Sequence, residues 1–186
     1  MLRAPELSVI FDAHFGWVWN TLRRLGVSEG EAPDVAQEVF VIVHALRGDY
    51  DPERPLRPWL FGIAYRVACR WRALARHRRE LPIDGRFDAP DPRPSADEAL
   101  EQHQARALVL RALDTIDLPR RAVLVMNVLD EQPMPEVAEA LGIPVNTAYS
   151  RLRLARVDFA KAVHRLQATA SVRSGCGGSG LGRAVT

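Results

Sequence analysis

Asn146, Tyr149, Ser150 and Arg153 fall on one side of a helical pattern, and together they carry the donors, acceptors and ring that can read base edges in a DNA groove. The opposite side, Ala148, Leu152, Ala155 and Phe159, repeats at the spacing of a buried stripe. Arg151 and Arg156 flank that stripe, where a guanidinium meets phosphate rather than base. A second constellation lies earlier in the chain. Phe61, Tyr65, Arg66, Arg72 and Arg76 share the outward side of a long helical pattern, with Arg78 and Arg79 following, and its inward side is Leu60, Ile63, Ala64, Val67, Trp71 and Leu74. Rings interleaved with guanidinium groups suit single-stranded nucleic acid, because rings stack on unpaired bases at roughly 1 to 3 kcal/mol each while arginine tracks phosphates. A merely solvated arginine face is the plain alternative.

The elements that must position these groups are helical. Val137, Ala138 and Leu141 form one face of a short helix, Gly142, Ile143 and Pro144 a tight turn, and the stripe from Ala148 to Phe159 a second helix. That arrangement is a helix-turn-helix, with Gly142 free to take a positive φ and Pro144 placed where a missing amide proton costs little. An αα-hairpin used only for packing would share the spacing. Upstream, helical periodicity predicts a first helix from about Pro5 to Leu25 ending at Gly26, a second starting after Ser28 and the acidic cluster Glu29, Glu31 and Asp34 and running to Gly48, a proline-broken loop over Asp49 to Pro58, and a third from about Trp59 to Arg79. On the second helix, Val35, Val39, Ile42 and Leu46 supply the core stripe. Gln37, Phe40, Val41 and His44 are left outward, with Asp34 and Glu38 at the borders, and exposed apolar anchors beside acids describe a surface for docking another protein. The competing reading has Phe40 covered by the first helix or by the other domain.

The predicted fold is all-α, as two small helical domains joined by a flexible linker, the second ending in the helix-turn-helix. Residues 1–80 form the first domain and 81–96, rich in Pro and Asp, the linker; residues 97–166 form the second, and 167–186 a disordered Gly/Ser-rich tail. Within the second domain one helix is predicted to about Ile116 and another from Pro119 to about Leu129. The 186 residues are 47% apolar, enough for packed cores, without an apolar run approaching the roughly 20 residues of a membrane span. No export signal is legible, and Cys69 and Cys176 are far apart without metal-ligand spacing, which fits a reducing cytoplasm. The net charge of +2 comes from a basic complement that is almost all arginine, with Lys161 the single lysine. Arginine favours bidentate and stacked contacts, although GC-rich coding would give the same bias.

These pieces, in this order, resemble the extracytoplasmic function sigma factors of bacterial RNA polymerase, over about Val9 to Leu166. The family's Asp-x-x-Gln-Glu-x-Phe segment is matched by Asp34, Gln37, Glu38 and Phe40, its Arg-x-Trp-Leu-x-x-Ile-Ala segment by Arg57, Trp59, Leu60, Ile63 and Ala64, and its Thr-x-x-Ser-Arg-Leu-x-x-Ala-Arg core by Thr147, Ser150, Arg151, Leu152, Ala155 and Arg156. The resemblance implies sigma region two in the first domain and sigma region four in the second. It implies docking to core RNA polymerase through Asp34, Gln37, Glu38 and Phe40. Recognition and melting of the minus-ten element would fall to Arg57, Trp59, Phe61, Tyr65, Arg66, Arg72 and Arg76, and reading of the minus-thirty-five element to Asn146, Thr147, Tyr149, Ser150, Arg151, Arg153 and Arg156. Tyr65 and Arg66 stand where the family often has Arg-Asn, and Tyr149 and Leu154 where many relatives are basic. The implied partners are core RNA polymerase, promoter DNA as duplex and melted strand, and an anti-sigma factor; no catalytic residue, metal or cofactor is expected. A helix-turn-helix regulator with an N-terminal sensory or interaction domain is the alternative, and the single-strand-like face of the third helix argues against it. A nuclease or recombinase would need clustered carboxylates or metal-spaced ligands, whereas His14, His44, His77, His103 and His164 are scattered.

Overall fold

A computed structural model describes residues 6–80 and 97–175, with side chains over 6–75 and 103–169. The helices are α1 (Leu7–Arg24), α2 (Ala32–Leu46), α3 (Leu56–Glu80), α4 (Asp97–Asp114), α5 (Leu118–Leu124), α6 (Met134–Leu141) and α7 (Val145–Gly175). No strand occurs among the described residues, and none of their helices is long and apolar enough to cross a membrane.

Local chemistry sets the boundaries. Gly26, at φ +91°, closes α1 with Val27 N–H donating to the Leu22 carbonyl at 3.0 Å. A short 3-10 turn, Arg47–Asp49, ends α2. The third helix begins at Leu56, one turn before Trp59, because Pro58 falls in the first turn, whose amides have no partner within the helix. Asp117 caps α5, accepting from the Arg120 amide at 3.0 Å. That helix widens into a π-helical turn, Val125–Leu129, which delivers the chain to Asp130. Gly142, at φ 64°, closes α6, and the Ala148 amide donates to the Pro144 carbonyl at 3.1 Å to start α7.

Three expectations are overturned. Phe40 is 4% exposed rather than outward: it packs on α1, its ring 4.9 Å from Phe11 and 6.1 Å from Phe15, so the covered alternative holds. Phe61 is fully buried and Leu74, placed in the stripe, is exposed. The cause is that α3 is packed against α1 and α2 on one side and against α6 on another, so a single stripe does not describe it. Finally, 167–175 is not tail: α7 continues to Gly175, with Thr169 Oγ1 donating to the Arg165 carbonyl at 2.9 Å. These nine residues include good helix formers, a property hidden when their composition is averaged with the Gly/Ser run that follows. The expected linker, 81–96, and the rest of the tail, with Cys176, lie outside the described residues.

The halves of the chain share one hydrophobic core. Its cluster runs without a break from Ile10, Val18 and Leu22 through Phe61 and Ile63 to Leu113, Val123, Val137, Leu152 and Ala155. Fully buried Arg121 stands at this junction, donating to the Ile116 carbonyl at 3.1 Å and to Asp114 at 2.8 Å. A β-carbon at Gly26 would run into its guanidinium and that of Arg72.

Candidate nucleic-acid interface

The α7 helix builds the clearer surface. Ala148, Leu152 and Ala155 are buried and Phe159 half-buried, where helices α4, α5 and α6 pack on it. Asn146, Tyr149, Ser150, Arg153 and Arg156 are exposed as the periodicity predicts, whereas Thr147 and Arg151 are half-buried. Ser150 Oγ donates back to the Asn146 carbonyl at 2.9 Å, which fixes its rotamer on the outer face. Asp158 is paired with Arg120 at 2.9 Å rather than with an arginine of α7. The face therefore combines arginine, amide, hydroxyl and phenol groups without a neighbouring acid of its own helix drawing Arg153 inward.

On the first half of the chain, Arg57 is exposed and lies 5.9 Å over the Trp17 ring, while the Tyr50 and Trp59 rings meet at 4.9 Å. Arg66 is exposed and Tyr65 half-buried; burial, with Cys69 beside it, pushes the Tyr65 hydroxyl up to about 12. Arg72 turns back on its own fold, donating to the Leu25 carbonyl at 3.3 Å, so it satisfies the end of α1 instead of standing free. Phe61 has no surface from which to stack. Arg76 lies outside the described side chains.

The predicted docking face on α2 is divided. Asp34, Gln37 and Val41 are exposed, Val41 at 68%, whereas Glu38 pairs with Arg70 of α3 and Phe40 lies beneath.

Periodicity missed the residues that join the halves. Asp130 follows the π-turn and is deeply buried, and Arg24 of α1 reaches it at 2.9 Å. Burial pushes its carboxyl above the ordinary range, opposed by Arg24 and the Trp17 indole. Arg54 pairs with Glu139 of α6. Gly62 sits against the α6 backbone: a β-carbon there would lie 2.7 Å from the Ala140 carbonyl oxygen. Only Gly62 gave a sequence-level sign, since a glycine inside a helical pattern marks a close approach.

Comparison with known proteins agrees with this architecture. Residues 10–80 match the Sigma-70 region 2 family and residues 106–158 the Sigma-70, region 4 family. The chain is 31% identical over 149 residues to RNA polymerase sigma factor CnrH of Cupriavidus metallidurans, covering 74% of this chain and 75% of that protein. It is 29% identical over 158 residues to ECF RNA polymerase sigma factor SigL of Mycobacterium tuberculosis, covering 82% and 85%. The solved structure of CnrH in complex with the cytosolic domain of CnrY superposes with a TM-score of 0.62 at 25% identity, over 86% of this chain and 88% of that one. The fold is also that of RpoE bound to the anti-sigma factor NepR from Bartonella quintana, at a TM-score of 0.62, 17% identity, and 84% and 96% coverage. Two family regions in the right order and a relative of this identity and coverage establish that the chain belongs to the extracytoplasmic function sigma factors, which direct RNA polymerase to promoters.

Proposed function

We propose a division of labour within that function. The outward face of α7 reads the upstream promoter element, with Asn146, Tyr149, Ser150 and Arg153 toward base edges and Thr147, Arg151 and Arg156 toward the backbone. The observation that carries this assignment is the rotation of α7, whose buried stripe leaves those four readers together in solvent. Arg57, Trp59, Tyr65 and Arg66, with Arg76 continuing the helix, serve the minus-ten element and strand opening. Phe61 and Arg72 support that surface from within, one by packing and the other by closing α1.

Core polymerase docks on α2 through Asp34, Gln37 and Glu38 together with exposed Val41, and Phe40 holds the helix at the required rotation by packing on α1. The domain division at about residues 80 and 97 belongs to this reading. So does a reducing, cytoplasmic site of action. Because CnrH and RpoE have both been captured with protein partners, a partner of the anti-sigma kind is proposed for this chain as well.

Run-off transcription with purified core polymerase on a genomic promoter library tests the whole assignment. Initiation at a subset of promoters sharing an upstream and a downstream element is the expected result. Binding to DNA without polymerase-dependent initiation would favour a plain helix-turn-helix regulator.

A further inference from the structure

The loop that leads into α3 is tied more closely than its burial requires. Residues 51–55 are all exposed, so bonds within the loop protect no core. Asp51, Pro52, Glu53 and Arg54 nonetheless form a hydrogen-bonded turn, in which the Arg54 amide donates to the Asp51 carbonyl at 3.1 Å and the Glu53 amide to Asp51 Oδ1 at 3.0 Å. Pro52 stands where a fixed φ favours such a turn, and the aspartate side chain reinforces it. Four residues past Arg54 comes Pro58, which has no amide proton to offer the Arg54 carbonyl. The Tyr50 hydroxyl takes that place, donating to the carbonyl at 2.5 Å across the mouth of the turn. The Tyr50 ring lies 4.9 Å from the Trp59 ring at the start of α3, and burial, with Asp51 beside it, pushes the hydroxyl pKa up, so the donor proton stays in place. The Arg54 side chain also reaches Glu139 of α6, but the ties of the backbone and of Tyr50 need no partner outside residues 50–59.

We propose that Tyr50 is a positioning residue for promoter opening: with its hydroxyl on the Arg54 carbonyl and its ring on Trp59, it holds the loop and the start of α3 in the shape that receives the displaced strand. The role rests on the assignment of this loop and the α3 face to the minus-ten element. Hydrogen bonds at an exposed surface contribute little to folding stability, because water competes for both partners. Their effect falls on recognition. A loop that already has its bound shape loses less freedom when a strand lands on it. Such a loop also discriminates, since an ill-fitting base meets a surface that does not relax around it, whereas an untied loop accommodates right and wrong bases alike. Tyr50 therefore acts through Arg54 and Trp59 and needs no contact with DNA of its own.

Tyr50→Phe removes the hydroxyl and keeps the ring, and Arg66→Ala, on the exposed α3 face, is the comparison. Holoenzyme assembled from core polymerase and the full chain is scored for open complex by permanganate oxidation of unpaired thymines. The templates are a duplex promoter taken from the run-off selection and its single-base variants in the downstream and upstream elements. Core affinity and the melting temperature of the free chain are measured alongside. Expected for Tyr50→Phe is a loss of roughly three- to tenfold in opening of the best promoter, about the worth of one hydrogen bond, with a narrower spread among the downstream variants. Upstream preference, core affinity and melting temperature should stay at their wild-type values. A merely structural role would lower the melting temperature and scale every promoter by one factor, and that result would overturn the proposal. If Arg66→Ala weakens opening while Tyr50→Phe does not, the clamp falls and the minus-ten assignment stands. If neither variant affects opening, the assignment of the α3 face fails and the role of Tyr50 fails with it.

Discussion

Along α7, Tyr149 and Arg153 stand clear of the fold, whereas on α3 Phe61 is fully buried, Tyr65 half-buried and Arg72 turned toward the end of α1. Both helices carry aromatic and arginine side chains at helical spacing, and they differ in how their neighbours are arranged around them. The upper half of α7 is packed along one stripe, by α4, α5 and α6, and keeps a free face. Central α3 takes α1 and α2 on one side and α6 on another. On the proposed assignment the free face of α7 meets duplex DNA directly, whereas much of the ring and arginine chemistry of α3 is turned into the packing of the fold. The lesson is that identical side-chain chemistry acquires different roles from the layer in which its helix sits.

The largest expected effect comes from truncating the covered ring. Phe61→Ala should cost about 3 to 5 kcal/mol in unfolding free energy, the range for a buried phenylalanine, while Tyr149→Ala should stay within about 0.5 kcal/mol. Denaturant unfolding of both variants provides the measurement; equal costs would erase the contrast between the two helices.

On DNA the order reverses. Arg153→Ala should weaken binding to the preferred upstream element by about 1 to 3 kcal/mol and relax its sequence preference, with the melting temperature unchanged. Arg156→Ala should weaken all sequences alike and lower the salt dependence by about one phosphate contact. Anisotropy titrations on matched and mismatched duplexes over a salt series separate these outcomes. Loss of preference in Arg156→Ala and not in Arg153→Ala would mean that α7 is rotated differently in the groove.

The smallest effect probes the junction. Burial raises the carboxyl of folded Asp130 above its ordinary value of 3.8, so the folded chain holds this proton more tightly than the unfolded one. The stability contributed by that difference is full below the unfolded value and is lost as pH rises through the folded one. Wild type should therefore lose stability relative to Asp130→Asn as pH climbs from below 3.8, measured by urea unfolding at a series of pH values. The opposite slope would show that the Arg24 pair outweighs burial.

Sequence periodicity located features whose causes are local. The turn at Gly142 and Pro144, the stripe from Ala148 to Ala155, the stop at Gly26 and the exposure of Asn146, Tyr149, Ser150 and Arg153 all follow from residues within a turn or two of each other. The burial of Phe40 and Phe61 escapes periodicity because a covering layer is a property of distant segments, as α1 is for Phe40. Pairs such as Arg24 with Asp130, separated by 106 positions, leave no periodic trace at all. The helical extension of α7 to Gly175 was hidden for a different reason, since a composition average blurred a helix-forming stretch into the glycines beyond it.

The bare backbone at Gly62 also limits how such proteins can be recombined. A chimera that borrows the recognition domain of a relative to retarget transcription would lay a foreign α6 onto this α3, and any bulk arriving where the Ala140 carbonyl now rests has no room to be accommodated. Grafts made with the seat and its occupant exchanged together should be viable more often than grafts cut between them.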